Sequence, residues 1–103
     1  EEAVYCAITV VVDKGKAEHV IDAATAAGSK GGTVINARGS GIHETSRLFF
    51  MDIEPEKEIV LIISDKKSAD AIVSSIREKM EIDKPGKGII FIQDVSMIYG
   101  LAK

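Results

Sequence analysis

Two glycine pairs are the part of this 103-residue chain whose residue types and spacing best suit ligand chemistry. They are Gly39-Ser40-Gly41 and Gly86-Lys87-Gly88. Because glycine lets the backbone turn tightly, such a pair can aim several N–H groups at one anion, and the lysine adds a positive charge. Neither pair continues into a dinucleotide-binding or P-loop signature. An anion or phosphate site and two ordinary tight turns are therefore both compatible with the sequence.

A polar segment over residues 40–57 is the second candidate for function. It has no clear periodicity, and loops longer than about 12–15 residues are uncommon in compact domains unless they are functional or mobile. Its candidate contact residues are first polar and then apolar: His43, Glu44, Arg47, Leu48, Phe49 and Phe50. The apolar run either packs on the body of the protein or forms a tip that binds a partner. Catalysis is not predicted, because His43 lacks a paired nucleophile and a zinc-ligand set.

Two strand–helix–strand units must position these segments. Apolar runs predict four strands, over residues 4–12, 33–37, 59–63 and 89–92. Apolar residues recur every three or four positions over residues 17–24 and 69–80, which predicts two one-faced helices. Gly28 is the expected end of the first helix, and Asp65 lies where the second needs its N-cap. The order predicts one α+β domain over residues 1–103, a ferredoxin-like βαββαβ fold whose antiparallel sheet carries two helices on one face.

The second face of that sheet should not be open to water. A sheet with one solvated face alternates apolar and polar residues. The predicted strands instead hold consecutive apolar residues over 10–12, 59–63 and 89–92. Both faces are then apolar, and symmetric self-association is the simplest way to cover the face without helices. The sequence therefore predicts a homo-oligomer.

Composition excludes several classes of protein. The formal net charge is −3, which argues against a general nucleic-acid binder, because the phosphate backbone would be repelled. The longest mostly apolar run covers residues 3–12 and is too short to span a bilayer, so no direct membrane insertion is expected. The single cysteine, Cys6, excludes an internal disulfide and favours a reducing, cytoplasmic location.

Four segments of the chain together resemble the nitrogen regulatory P-II signal-transduction family. They are Gly28-x-x-Gly31-Gly32-Thr33-Val34, Gly39-x-Gly41, Lys57-Glu58-Ile59-Val60 and Gly86-Lys87-Gly88-Ile89-Ile90-Phe91-Ile92-x-Asp94-Val95. The resemblance runs in register over nearly the whole chain. It implies a non-enzymatic, cytoplasmic homotrimer that binds ATP or ADP, often with 2-oxoglutarate, in clefts between subunits. It also implies that the long loop controls a membrane transporter or a nitrogen or carbon metabolic enzyme.

The same resemblance implies the residues of the nucleotide cleft and of the partner-binding loop. The cleft residues would be Thr33, Arg38, Gly39, Ser40, Gly41, Ile62, Gly86, Lys87 and Gly88, and the loop residues those named above from His43 to Phe50. The resemblance also implies that several charged residues and one glutamine of typical members are replaced here, by Ile42, His43, Val60, Ile89, Gly100 and Ala102. A charge-assisted phosphate contact is worth about 1.5–3 kcal/mol, so these replacements predict weakened phosphate binding.

Two other functions are alternatives to a P-II-type regulator. One is a trimeric metal-ion or anion binding protein of related fold, in which Glu44, Asp52 and Glu54 would hold a hard cation. The other is a small enzyme that uses His43 with a loop carboxylate. Neither has a complete set of ligands or catalytic groups in the sequence, and the regulator is the preferred interpretation.

Overall fold

The computed structural model describes residues 4–41, 44 and 46–101. The secondary-structure elements are β1 (Tyr5–Asp13), α1 (Ala17–Ala26), β2 (Thr33–Arg38), β3 (Ser46–Leu48), β4 (Met51–Ile53), β5 (Glu56–Asp65), α2 (Lys66–Met80) and β6 (Ile89–Val95). The two predicted strand–helix–strand units are present in the predicted order.

Strands β2, β5, β1 and β6 form one antiparallel sheet in that spatial order. Alternate residues of the central strands β1 and β5 are buried against α1 and α2, as the predicted ferredoxin-like arrangement requires. Ile8 and Ile62 are cross-strand partners in this core and lie beneath Val20 of α1 and Ile72 of α2. The predicted fold class is confirmed.

Both helix ends expected from the sequence have a local cause. Asp65 is the N-cap of α2, and its carboxylate accepts a hydrogen bond from the backbone N–H of Ser68 at 2.8 Å. Helix α1 ends in a Schellman motif, in which the N–H groups of Gly28 and Ser29 bond to the carbonyls of Thr25 and Ala24. Gly28 has a φ of +107°, which suits glycine and explains why the helix stops there.

The sheet face without helices is also apolar, as predicted. Two rows of cross-strand neighbours cross this face: Ile89, Val11, Ile59 and Ile35, followed by Phe91, Thr9, Leu61 and Thr33. The middle residues of each row are half-buried by their neighbours, whereas Ile89 at the edge is 61% exposed. A single chain thus leaves a largely apolar sheet face open to solvent.

Two described parts of the segment over residues 40–57 form strands where a loop was predicted. Ser46–Leu48 and Met51–Ile53 pair as a two-stranded hairpin, which is separate from the main sheet. Strand β5 begins at Glu56, three residues earlier than the expected Ile59. Hydrogen bonds hold the polar first residues of β5 against α1, because Glu58 accepts from the N–H groups of Gly15 and Ala17 at the start of that helix. Among the described residues, no helix is long and apolar enough to cross a membrane.

Candidate functional site

The two glycine pairs, 45 or more residues apart in sequence, line one cavity of about 690 Å³. Five of the predicted cleft residues contribute to its wall: Gly39, Ser40, Gly41, Gly86 and Gly88. Cavities of this size are typical of small-molecule sites. The structure therefore favours a common ligand cleft over two unrelated turns.

The sheet topology explains why the two glycine pairs lie close together. Strand β2 ends and strand β6 begins at the same end of the sheet, where β1 ends at Asp13. Ile89 of β6 pairs with Val11 of β1, and Ala37 of β2 pairs with Lys57 of β5, which in turn pairs with Asp13. The turns that carry the glycine pairs consequently flank the same sheet end.

Gly39 differs from Gly88 in what the fold requires of it. A Cβ at Gly88 would lie 2.6 Å from the carbonyl oxygen of Val11, and Gly88 has a φ of +141°, so only glycine fits there. A Cβ at Gly39 would meet no atom within 4 Å, and its φ lies outside the left-handed region. Neither sterics nor backbone conformation explains glycine at position 39, whereas a ligand that approaches the backbone closely would.

Three charged side chains form a cluster at the cleft wall. Lys57 donates to Asp13 Oδ1 at 2.6 Å and also forms an ion pair with Glu44. The Lys57 side chain is only 12% exposed, and its hydrogen bonds to Asp13 and then Glu44 raise the pKa of its ammonium group. Two carboxylates and one ammonium leave this wall with a formal charge of −1, which does not by itself favour phosphate.

Several predicted cleft residues lie elsewhere in the single chain. Lys87 lines a neighbouring recess, and Arg38 lines a smaller one with Lys14 and Glu56. Thr33 starts β2 at the opposite end from Gly39, and the Ile62 side chain is buried in the core beneath the helices. His43 lies outside the described residues.

The hairpin presents the predicted apolar run at its tip. Phe49 and Phe50 form the two-residue connection between paired Leu48 and Met51, and their side chains are 84% and 97% exposed. Both have positive φ values, +52° and +65°. Such turns favour Asn-Gly, because positive φ is unfavourable for bulky side chains. The exposed aromatic tip thus opposes local backbone preference, a combination typical of functional segments.

The other charged residues of the hairpin do not assemble a cation site. Arg47 pairs with Asp52 at 3.0 Å. Within the part of the chain that the structure describes, no group of three or more His, Cys, Asp or Glu side chains could hold a metal ion. The carboxylates of Glu44 and Asp52 instead form ion pairs with Lys57 and Arg47.

Sequence reasoning missed Asp13 and Lys57 as parts of the cleft. In the sequence, Asp13 follows the first predicted strand, and Lys57 belongs to a segment that carries the family resemblance. Their meeting depends on the register of β1 against β5, in which they are directly paired. A charge pair of this kind has no signature in a single sequence. The signal that was available, an acidic residue at the end of one strand and a basic one at the start of another, is too common to be specific.

Solved structures with this fold support the same architecture. B. subtilis GlnK in complex with ATP superposes with a TM-score of 0.69 at 18% identity, covering 93% of this chain and 85% of that chain. B. subtilis GlnK alone gives 0.67 at 18% identity, with coverages of 91% and 87%. Arabidopsis thaliana PII bound to citrate gives 0.66 at 22% identity, with coverages of 92% and 78%. A search of curated proteins found no match by sequence.

The family model described as nitrogen regulatory protein P-II matches residues 5–102. The chain therefore belongs to the P-II family, whose members are regulatory signal transducers rather than enzymes. The resemblance carried by the glycine segments is confirmed.

Proposed function

We propose that this chain is a P-II-type regulator that binds an adenine nucleotide, ATP or ADP, in the cleft between its glycine pairs. The observation that carries the proposal is Gly39, which lines the cleft although neither its φ nor its surroundings require glycine. A ligand packed against the backbone at this position would require it. The ATP complex of B. subtilis GlnK, a protein of the same fold, supports a nucleotide as the ligand.

The functional unit in this proposal is a cytoplasmic homotrimer. The apolar sheet face opposite the helices supports self-association, since Ile35, Ile89 and Phe91 are exposed in the single chain. A neighbouring subunit would supply the remaining wall of the cleft. Thr33, which is exposed and lies away from the cavity of one chain, is the residue proposed to act from that neighbour. Ile62 is buried in the core and has no such role in the proposal.

The hairpin is the proposed output of the regulator. Its tip holds Phe49 and Phe50 in solvent, on a two-stranded segment that is separate from the main sheet. Glu44, at the entry of this segment, pairs with Lys57 at the cleft wall. A ligand that breaks or shifts this ion pair would change the position of the hairpin. The hairpin would in turn contact a protein partner, such as a transporter or a metabolic enzyme.

Calorimetric titration with ATP, ADP and AMP tests the nucleotide site. Micromolar dissociation constants are expected for at least one of the three, equivalent to about −8 kcal/mol. Gly39→Ala should weaken binding and Gly39→Val should weaken it further, because each adds atoms where the ligand packs. Thr25→Ala, on the exposed face of α1, is the control and should bind as the wild type does. The proposal fails if the wild-type oligomer binds none of the three nucleotides.

A further inference from the structure

A second concavity, which we call the basic recess, adjoins the cleft. It has a volume of about 360 Å³ and shares Asp13 and Gly86 with the cleft wall. Its basic side chains come from three separate elements: Lys16 at the start of α1, Lys79 in the last turn of α2 and Lys87 in the turn before β6, with His19 beside them. The fold thus brings three lysines and a histidine to one recess beside the candidate cleft.

The carboxylates that line the basic recess are engaged with other lysines. Asp13 pairs with Lys57 at 2.6 Å, and Glu81 pairs with Lys84 at 3.2 Å. Within the described residues, none of the three recess lysines has a carboxylate within 4.0 Å. Grouping unpaired ammonium ions is unfavourable, and the chain does so although its net charge is −3.

Ordinary structural roles explain only part of this grouping. Lys79 lies in the last turn of α2, where a positive charge interacts favourably with the helix dipole. Lys16 lies at the start of α1, where the dipole has the opposite effect, and Lys87 is in a turn. An anion in the basic recess would account for all three.

We infer that the basic recess binds a polyphosphate anion. The inference rests on the proposed function when that anion is the phosphate chain of a nucleotide whose base lies in the cleft. The formal charges of the two walls differ in sign: the cleft wall carries −1, whereas the recess wall carries +1, from three lysines against Asp13 and Glu81. The phosphate chain would therefore pass Gly86 into the recess, and the recess lysines would replace the charged residues expected at Ile42 and Ile89. A free polyphosphate is the other source of the same chemistry.

Titration with tripolyphosphate, ATP and adenosine tests the basic recess. The variants are Lys16→Ala, Lys79→Ala and Lys87→Ala, and the control is Lys67→Ala, which removes another exposed lysine without a carboxylate partner in the described residues. Each recess variant should bind tripolyphosphate and ATP roughly 3- to 10-fold more weakly than the wild type. Raising the salt concentration should reduce this difference in affinity. Adenosine binding should be unchanged in all variants, and Lys67→Ala should bind all three probes as the wild type does.

The outcomes separate the two proposals. Recess variants that bind tripolyphosphate and ATP as tightly as the wild type would overturn the recess inference. If Gly39→Ala then still weakened ATP binding, the cleft proposal would stand. Lysine-dependent binding of tripolyphosphate alone, with no binding of ATP or adenosine, would support the recess as a site for free polyphosphate and refute the nucleotide cleft. Absence of tripolyphosphate binding to the wild type would overturn the recess inference outright.

Discussion

Asp13 and Lys57 face each other across the end of the β1–β5 ladder, with Lys57 Nζ 2.6 Å from Asp13 Oδ1. The same ammonium group binds Glu44, so one side chain joins two strands to the start of the segment that carries the hairpin. Because all three residues line the candidate cleft, this cluster connects the proposed ligand site to the segment that carries the hairpin.

Replacing Lys57 should therefore destabilise the fold and free the entry of the hairpin segment. Lys57→Met leaves two neighbouring carboxylates without their cation and should lower the free energy of unfolding by about 1–2 kcal/mol in urea titration. Lys14→Met is the matched control, because the pair between Lys14 and Glu56 is exposed on both sides and should contribute nothing measurable. Equal effects of the two variants would contradict a structural role for the cluster.

The two walls of the cleft should respond differently to alanine. Gly88→Ala forces a Cβ against the carbonyl oxygen of Val11 in a backbone conformation that alanine disfavours. It should lower the free energy of unfolding by more than about 1 kcal/mol. Gly39→Ala should leave stability unchanged or raise it slightly. Urea unfolding of both variants checks the prediction, which fails if Gly39→Ala proves as destabilising as Gly88→Ala.

The aromatic hairpin tip should be locally strained. Replacing Phe49 and Phe50 by Asn-Gly supplies residues that tolerate the observed positive φ values. Relief of about 1 kcal/mol or more should slow amide exchange within the hairpin at least roughly 5-fold. The same variant should lose capture of any partner that the wild-type hairpin binds. Faster exchange in the variant would show that the aromatic side chains stabilise the hairpin instead.

The apolar sheet face should be buried in the oligomer. Phe91→Asp places a charge on the β6 side of that face, beside Thr9, and should dissociate the protein into chains of 11.0 kDa. Light scattering should give three times that mass for the wild type. Tyr99→Asp, an exposed aromatic residue outside the strands, is the control and should remain trimeric. A wild-type mass of one chain would refute the homotrimer.

The N-cap of α2 should make stability depend on pH. The hydrogen bond from the Ser68 backbone N–H lowers the pKa of Asp65 below its ordinary value of 3.8. A carboxylate with a lowered pKa in the folded state stabilises the protein above its ordinary value, and that contribution is lost as the pH falls through the lowered one. The wild type should thus exceed Asp65→Ala in stability at pH 7, with a difference that shrinks below pH 4. Asp65→Asn, an uncharged cap, should show no such shrinkage relative to Asp65→Ala.

The ferredoxin-like fold followed from the sequence because each strand of the main sheet and each helix carried a local signal. The three- and four-residue spacing from Ala17 to Ala24 and the strand-like run over residues 59–63 had no competing interpretation. The pairing register of the strands could not be predicted from the sequence, since it depends on which strands are neighbours in the sheet. The early start of β5 at Glu56 was missed for this reason: polar residues there are held by contacts with α1 and β1 rather than by an apolar pattern.

The candidate site was predictable in its backbone and not in its side chains. Glycine pairs are visible in a sequence, and both line the cleft. Two features of the side chains depend on which distant segments meet in the fold. They are the ion pair between Asp13 and Lys57 and the position of Lys87 in the neighbouring recess. The hairpin was hidden because its turn residues, Phe49 and Phe50, lack the Asn-Gly type that usually marks such a turn.

Amide chemical shifts in a ¹H–¹⁵N correlation spectrum, recorded during titration with ATP, test the central claim most directly. The nucleotide cleft predicts saturable shifts of the amides of Gly39, Gly41, Gly86 and Gly88, which stand out because glycine amides resonate in their own region. Gly28, at the far end of α1 from the cavity, should stay in place. Saturable shifts that spare both glycine pairs, or an unchanged spectrum at millimolar ATP, would contradict the account.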